Sequence, residues 1–106
     1  MEFGKVEKVI LLYFGIKKTQ GEKSVKRTQV TKDLKKILSR EDDKNFPMVL
    51  NNTLVRLITD KKVLYRRHRM ISINNKGLDY AISLLDEIKS NSEKPVKTWD
   101  DILEKI

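Results

Sequence analysis

Between Val6 and Ile16 the chain carries apolar side chains so densely that a helix formed there has almost no polar face. Val6, Val9, Ile10, Tyr13 and Phe14 recur at the spacing of one helical stripe, and Leu11, Leu12 and Ile16 widen it nearly all round. Such a helix, predicted over residues 4–18, must be wrapped by other segments, because leaving that much apolar surface in water is unfavourable. The chain has 106 residues, so the wrapping has to come from one small domain. The unbroken apolar run Val9–Phe14 is far shorter than the roughly 20 residues that span a bilayer, so a membrane location is not expected.

The remaining segments supply the complementary stripes. Gly15 marks either a close contact or the approach of the helix end. Lys17–Lys26 reads as a loop. Thr28 or Thr31 can cap a second helix over residues 29–40, with Val30, Leu34, Ile37 and Leu38 inward. Arg40–Asn45 forms a charged turn, and Pro47 suits the first turn of a third helix over residues 47–60. That helix points Val49, Leu50, Leu54, Leu57 and Ile58 inward and leaves Met48, Asn51, Asn52, Val55, Arg56 and Thr59 towards the other side. Val63–Arg66 and Met70–Ile73 are β-prone runs on either side of Arg67-His68-Arg69, a hairpin without a glycine in its turn. A fourth helix, from Asn74 or Asn75 to about residue 90, carries Leu78, Ile82, Leu85 and Ile88, with Tyr80, Ala81 and Leu84 beside them. Ser90–Lys97 is a linker. Thr98 and Asp101 have capping-box spacing ahead of a last short helix striped by Trp99, Ile102, Leu103 and Ile106. A helix so short must dock on the body, on a second copy or on a partner. The organisation is thus a body over residues 1–90 and a linker with a C-terminal helix over residues 91–106.

Charge narrows the function. Lys and Arg total 23 against 15 Asp and Glu, a formal net charge of +8. The surplus is confined to residues 1–85, which carry 19 basic and 9 acidic side chains, against 4 and 6 beyond. A polyanion, nucleic acid above all, is the expected partner. With no cysteine and one histidine, the chain has no disulfide framework, no thiolate chemistry and no histidine-built zinc site. Asp42-Asp43 and Asp100-Asp101 are adjacent in sequence, a spacing that sends carboxylates in different directions rather than into one acid–base or metal site. No phosphate-cradling glycine loop or nucleophile motif is present. The expectation is a cytoplasmic, non-enzymatic protein without cofactor or metal.

The third helix has the residue types that read bases. A carboxamide pairs with both N6 and N7 of adenine, which makes Asn51 and Asn52 the leading base-reading candidates. Met48 offers apolar contact to a thymine methyl, and Arg56 suits phosphate or guanine. Arg66, Arg67, His68 and Arg69 gather charge at the hairpin tip, where it suits phosphates or a narrow minor groove. Lys26, Arg27, Thr28 and Gln29 open the second helix, and helix N-termini favour anions. The lysines of that helix, Lys32, Lys35 and Lys36, read as a solvated face, and Trp99 as a packing anchor.

The order helix, loop, helix, turn, helix, ribbon, helix resembles the winged helix-turn-helix domain. Asn52-Thr53-Leu54-Val55-Arg56-Leu57 and Lys62-Val63-Leu64-Tyr65-Arg66-Arg67 are similar to the recognition helix and first wing strand of small prokaryotic and archaeal regulators of the PadR and MarR kind. Ile71-Ser72-Ile73-Asn74-Asn75-Lys76-Gly77-Leu78-Asp79-Tyr80 is similar to their second wing strand and entry to the last helix. The resemblance covers residues 4–90 and implies a mainly α fold with a small β-wing: a three-helix core, a two-stranded hairpin and a long C-terminal helix. It implies sequence-specific binding of double-stranded DNA by a transcriptional regulator, with helix 47–60 in the major groove and hairpin 64–73 as the wing. Two departures stand out: Lys61-Lys62 occupy the place where such families commonly have a glycine, and the wing is short. Homodimerisation through the first, fourth and C-terminal helices would set two recognition helices about 34–36 Å apart. The alternatives from other classes are a module that binds RNA or an acidic protein, and a nonspecific architectural DNA-binding protein.

Overall fold

The apolar N-terminal segment becomes the axis around which the chain is wound. In the computed structural model, which describes residues 2–106, the elements follow as α1 (Lys5–Thr19), β1 (Val25–Lys26), α2 (Arg27–Ile37), α3 (Phe46–Thr59), β2 (Leu64–Arg67), β3 (Met70–Ile73), α4 (Asn75–Ser90) and α5 (Trp99–Glu104). Every side chain from Val9 to Phe14 is buried, none more than 3% exposed. Val30 and Leu34 of α2, Leu50, Leu54 and Leu57 of α3, Ile71 and Ile73 of β3 and Ala81 of α4 close over all of them but Leu12 in one cluster. No helix among the described residues is long and apolar enough to cross a membrane.

Two glycines permit the closest approaches. A Cβ on Gly15 would lie 2.8 Å from the Ala81 methyl, so Gly15 is where α1 and α4 touch, and α1 runs on four residues past it. A Cβ on Gly77 would lie 2.5 Å from the Val63 carbonyl oxygen, which seats the first turn of α4 on the start of the ribbon. Asn74 caps that turn by accepting a bond from the Gly77 amide at 2.9 Å.

The sheet has three strands, in the order β1-β3-β2, all antiparallel. The end of the stretch read as a loop is therefore β1, with Val25 opposite Ile71 and Lys26 opposite Met70. Val25 is buried and the Ser24 and Ser72 hydroxyls meet at 2.7 Å, so a packing anchor and one hydrogen bond define a strand too short to show a period. The strand leads straight into α2, which begins at Arg27 rather than residue 29. Lys26 takes the N-cap position and no side chain caps the helix; neither Thr28 nor Thr31 does so, and the Thr31 hydroxyl donates instead to the Arg27 carbonyl at 3.2 Å. At its other end, Ser39 adopts φ 55°, and the Arg40 and Ser39 amides bond back to Lys35 and Lys36, so the helix closes at Ile37 instead of continuing to residue 40.

Val49, read as an inward residue of α3, is 47% exposed, and Thr53 takes a buried place instead, its hydroxyl satisfied by the Val49 carbonyl at 2.8 Å. Ile82 of α4 likewise stands 42% exposed rather than within the buried stripe. At the C-terminus the Thr98/Asp101 capping box forms with both bonds. Its helix docks on its own chain: Ile102 packs with Leu12 and Ile88, and Trp99 and Ile106 lie beside them.

Polar ties fix the helices around α1. The Tyr13 hydroxyl donates to Asp33 of α2 at 2.5 Å, and burial together with that carboxylate pushes the phenol above its ordinary range. Glu7, 8% exposed, accepts from the Gly4 amide at 2.9 Å and from the Lys61 ammonium at 3.0 Å. The same ammonium donates to the Glu2 carbonyl and lies over the Phe3 ring, so one lysine after α3 clamps the N-terminal segment. Burial works to raise the Glu7 pKa, but the Gly4 amide and Lys61 outweigh it and hold the carboxyl below its ordinary value.

Gly15→Val should cost about 1–3 kcal/mol through overpacking against Ala81, read by urea unfolding, with Ala81→Gly in the same chain returning part of the loss. Because Glu7 titrates lower when folded, its stabilisation is complete above the ordinary glutamate range and disappears as pH falls through the folded value. Urea midpoints measured through the acid range should therefore fall less steeply in Glu7→Gln than in the parent chain.

Candidate nucleic-acid interface

With Leu50, Leu54 and Leu57 fixed in the core, the opposite side of α3 is determined by helical geometry. At about 100° per residue, Met48, Asn52, Val55 and Thr59 fall within an arc of roughly 60° centred away from the core. All four are exposed. Met48 is 62% and Val55 47% exposed. The Asn52 carboxamide makes no hydrogen bond among the described residues.

Asn51 lies on the flank of this ridge towards α2 and is half-buried. Its side-chain oxygen accepts a hydrogen bond from the Arg27 guanidinium. The two asparagines, equivalent as a sequence pair, therefore differ: Asn51 joins α3 to the start of α2, and Asn52 presents both carboxamide groups outward. Arg56 sits on the far flank, exposed, with its guanidinium 3.4 Å from the Thr53 hydroxyl.

The start of α2 is in turn bound to the ribbon, since the Arg27 amide donates to the Arg69 carbonyl at 2.9 Å. Lys26, Arg27, Thr28, Arg66, Arg69 and Met70 line a cleft of about 450 Å³ between these elements. Four of the six are cationic, and the first turn of α2 contains no acidic residue. The Arg66 guanidinium is held by the His68 carbonyl at 2.9 Å. Arg67, on the opposite face of the ribbon by strand alternation, and Arg69 are exposed. The ion pairs among the described residues are Lys17–Glu22, Arg40–Asp43 and Lys61–Glu7, so Lys26, Arg27, Arg66, Arg67 and Arg69 all keep their charge uncompensated by a contacting carboxylate. Cations in this density raise the local potential for an anion.

Not every singled-out residue points into this surface freely. Gln29 donates to Asp33 within α2 at 2.7 Å, while Thr28 is exposed at the cleft. His68 is the first of two turn residues between Arg67 and Met70 and takes φ 58°. A left-handed φ in the first central position suits a two-residue hairpin, and histidine tolerates it better than most side chains. Lys62, standing where a glycine was noted to be missing, likewise takes φ 53°, so the chain makes the same reversal at a steric cost. Tyr65, placed on the first wing strand but not among the candidate contacts, stands 50% exposed on β2. Its signal was the strand alternation, which sets it on the face away from Leu64.

Comparison with protein-family models, curated proteins and solved structures finds no match to this chain. The site is accordingly described by its own chemistry: an exposed helix ridge bearing a free carboxamide, joined to a cationic cleft by the hydrogen bond from Arg27 to Asn51.

Relieving the left-handed turn is a direct check on the ribbon. His68→Gly should stabilise the protein by about 1 kcal/mol, seen as a higher melting temperature, because glycine accepts that φ without the Cβ clash.

Proposed function

We propose that this chain is a winged helix-turn-helix protein that binds double-stranded DNA sequence-specifically as a small transcriptional regulator. The observation that carries the reading is the coupling through Arg27. Its guanidinium holds Asn51 of α3 and its amide holds Arg69 of the ribbon, so a base-reading ridge and a phosphate-binding cleft form one surface. Phosphate contacts position a protein on the duplex and base-edge contacts specify the sequence. Here Lys26, Arg27, Thr28, Arg66, Arg67 and Arg69 supply the first kind, and Met48, Asn52 and Val55 the second. α3 is the recognition helix and β2–β3 the wing, which meets phosphates beside the groove rather than entering it.

In this reading two copies pair on a roughly palindromic site. The apolar faces of α1 and α5 are consumed within the chain, which leaves the exposed Ile82 of α4, with the half-buried Leu85 beside it on the α1–α4 groove, as the surface for pairing.

Titrating fluorescent duplex with protein at increasing salt tests the proposal. Five cationic phosphate contacts per copy, doubled in the pair, predict a log–log slope of roughly −9, and Arg67→Ala should weaken all sequences alike and flatten the slope by about 2. Asn52→Ala should cost about 1–3 kcal/mol on the preferred site and little on others. Negligible duplex binding at physiological ionic strength would instead favour a module for RNA or an acidic protein, and equal affinity for every sequence would favour an architectural coater.

A further inference from the structure

Resting on the DNA-binding reading, we infer that the recognition surface selects A·T base pairs and does so through thymine methyl groups on either side of a contacted adenine. The exposed ridge of α3 runs Met48, Asn52, Val55: an apolar side chain, a carboxamide, an apolar side chain. Met48 and Val55 are seven residues apart, about 10.5 Å along the helix, a span of about three base-pair steps. Met48 and Val55 stand 62% and 47% exposed, and a cationic cleft adjoins their helix through the Arg27–Asn51 hydrogen bond. An acidic protein would meet those charges but would leave two apolar side chains facing carboxylates. In the major groove, the one apolar group on any base edge is the thymine methyl.

The polar groups point the same way. Asn52 has its carbonyl and its amide both free, the donor and acceptor pair that adenine N6 and N7 require. A guanine reader is lacking on the ridge: α3 carries a single basic residue, Arg56, on the flank and hydrogen-bonded to Thr53. Asn51 is engaged by Arg27 and serves as a positioning residue, holding the helix in register with the cationic cleft.

The experiment selects bound duplexes from a random pool with the full-length protein, then rebuilds the recovered site with deoxyuridine in place of thymidine, which removes only the methyls. Recovered sites should contain A·T pairs across three or four steps, and each contacted methyl removed should weaken binding about fourfold, the effect of one buried methyl-sized group. The double variant Met48→Ala/Val55→Ala, altered only at exposed positions and so expected to fold, should bind the thymidine and deoxyuridine duplexes alike. Selective duplex binding that is indifferent to deoxyuridine, or recovery of G·C sites, overturns this inference and leaves the DNA-binding reading standing. Absence of duplex binding overturns both.

Discussion

An α-helix that is apolar on nearly every side has to be enclosed, and in this protein the enclosure of α1 dictates where everything else goes. Removing that much side-chain surface from water is the dominant favourable contribution to the fold. α4 can lie close enough only because Gly15 presents no Cβ to Ala81, and α5 covers the end of the helix through Ile102. α2, α3 and the sheet close the remaining sides. Once Leu50, Leu54 and Leu57 are committed to that core, the outward face of α3 is no longer free to be chosen, and Met48, Asn52 and Val55 are what it shows.

The helices were legible in the sequence because burial imposes a period long enough to count. α1, α3 and α4 fall within a residue or two of their expected ranges, and the Thr98/Asp101 capping box, a signal of fixed spacing, forms as read. What escaped was set by single contacts. β1 is two residues long and owes its existence to Val25 and the Ser24–Ser72 hydroxyl pair, neither of which has any local pattern. The termination of α2 depends on Ser39 accepting a left-handed φ, a choice that sequence would assign to glycine.

The candidate site was legible in its membership and illegible in its internal division. The positive residues at the ribbon tip and at the start of α2 announced themselves by density. Their merging into one cleft required β1, since it is the pairing of Lys26 with Met70 that lays the start of α2 against the ribbon. The distinction between Asn51 and Asn52 required the position of Arg27, a residue more than twenty positions away. Likewise nothing around Lys61 announced that it would clamp Glu7, because partners so far apart in sequence meet only after the core has formed.

We propose that the α3 ridge, the first turn of α2 and the ribbon tip act together as one face towards duplex DNA. Nuclear magnetic resonance reports this residue by residue, as shifts of backbone and asparagine side-chain amide signals when duplex is added. Perturbations should concentrate at Lys26–Thr28, at Met48, Asn52 and Val55, and at Arg66–Met70, with the Asn52 carboxamide among the largest. Perturbations centred on α5 and the outer face of α4, with these signals unmoved, would contradict it.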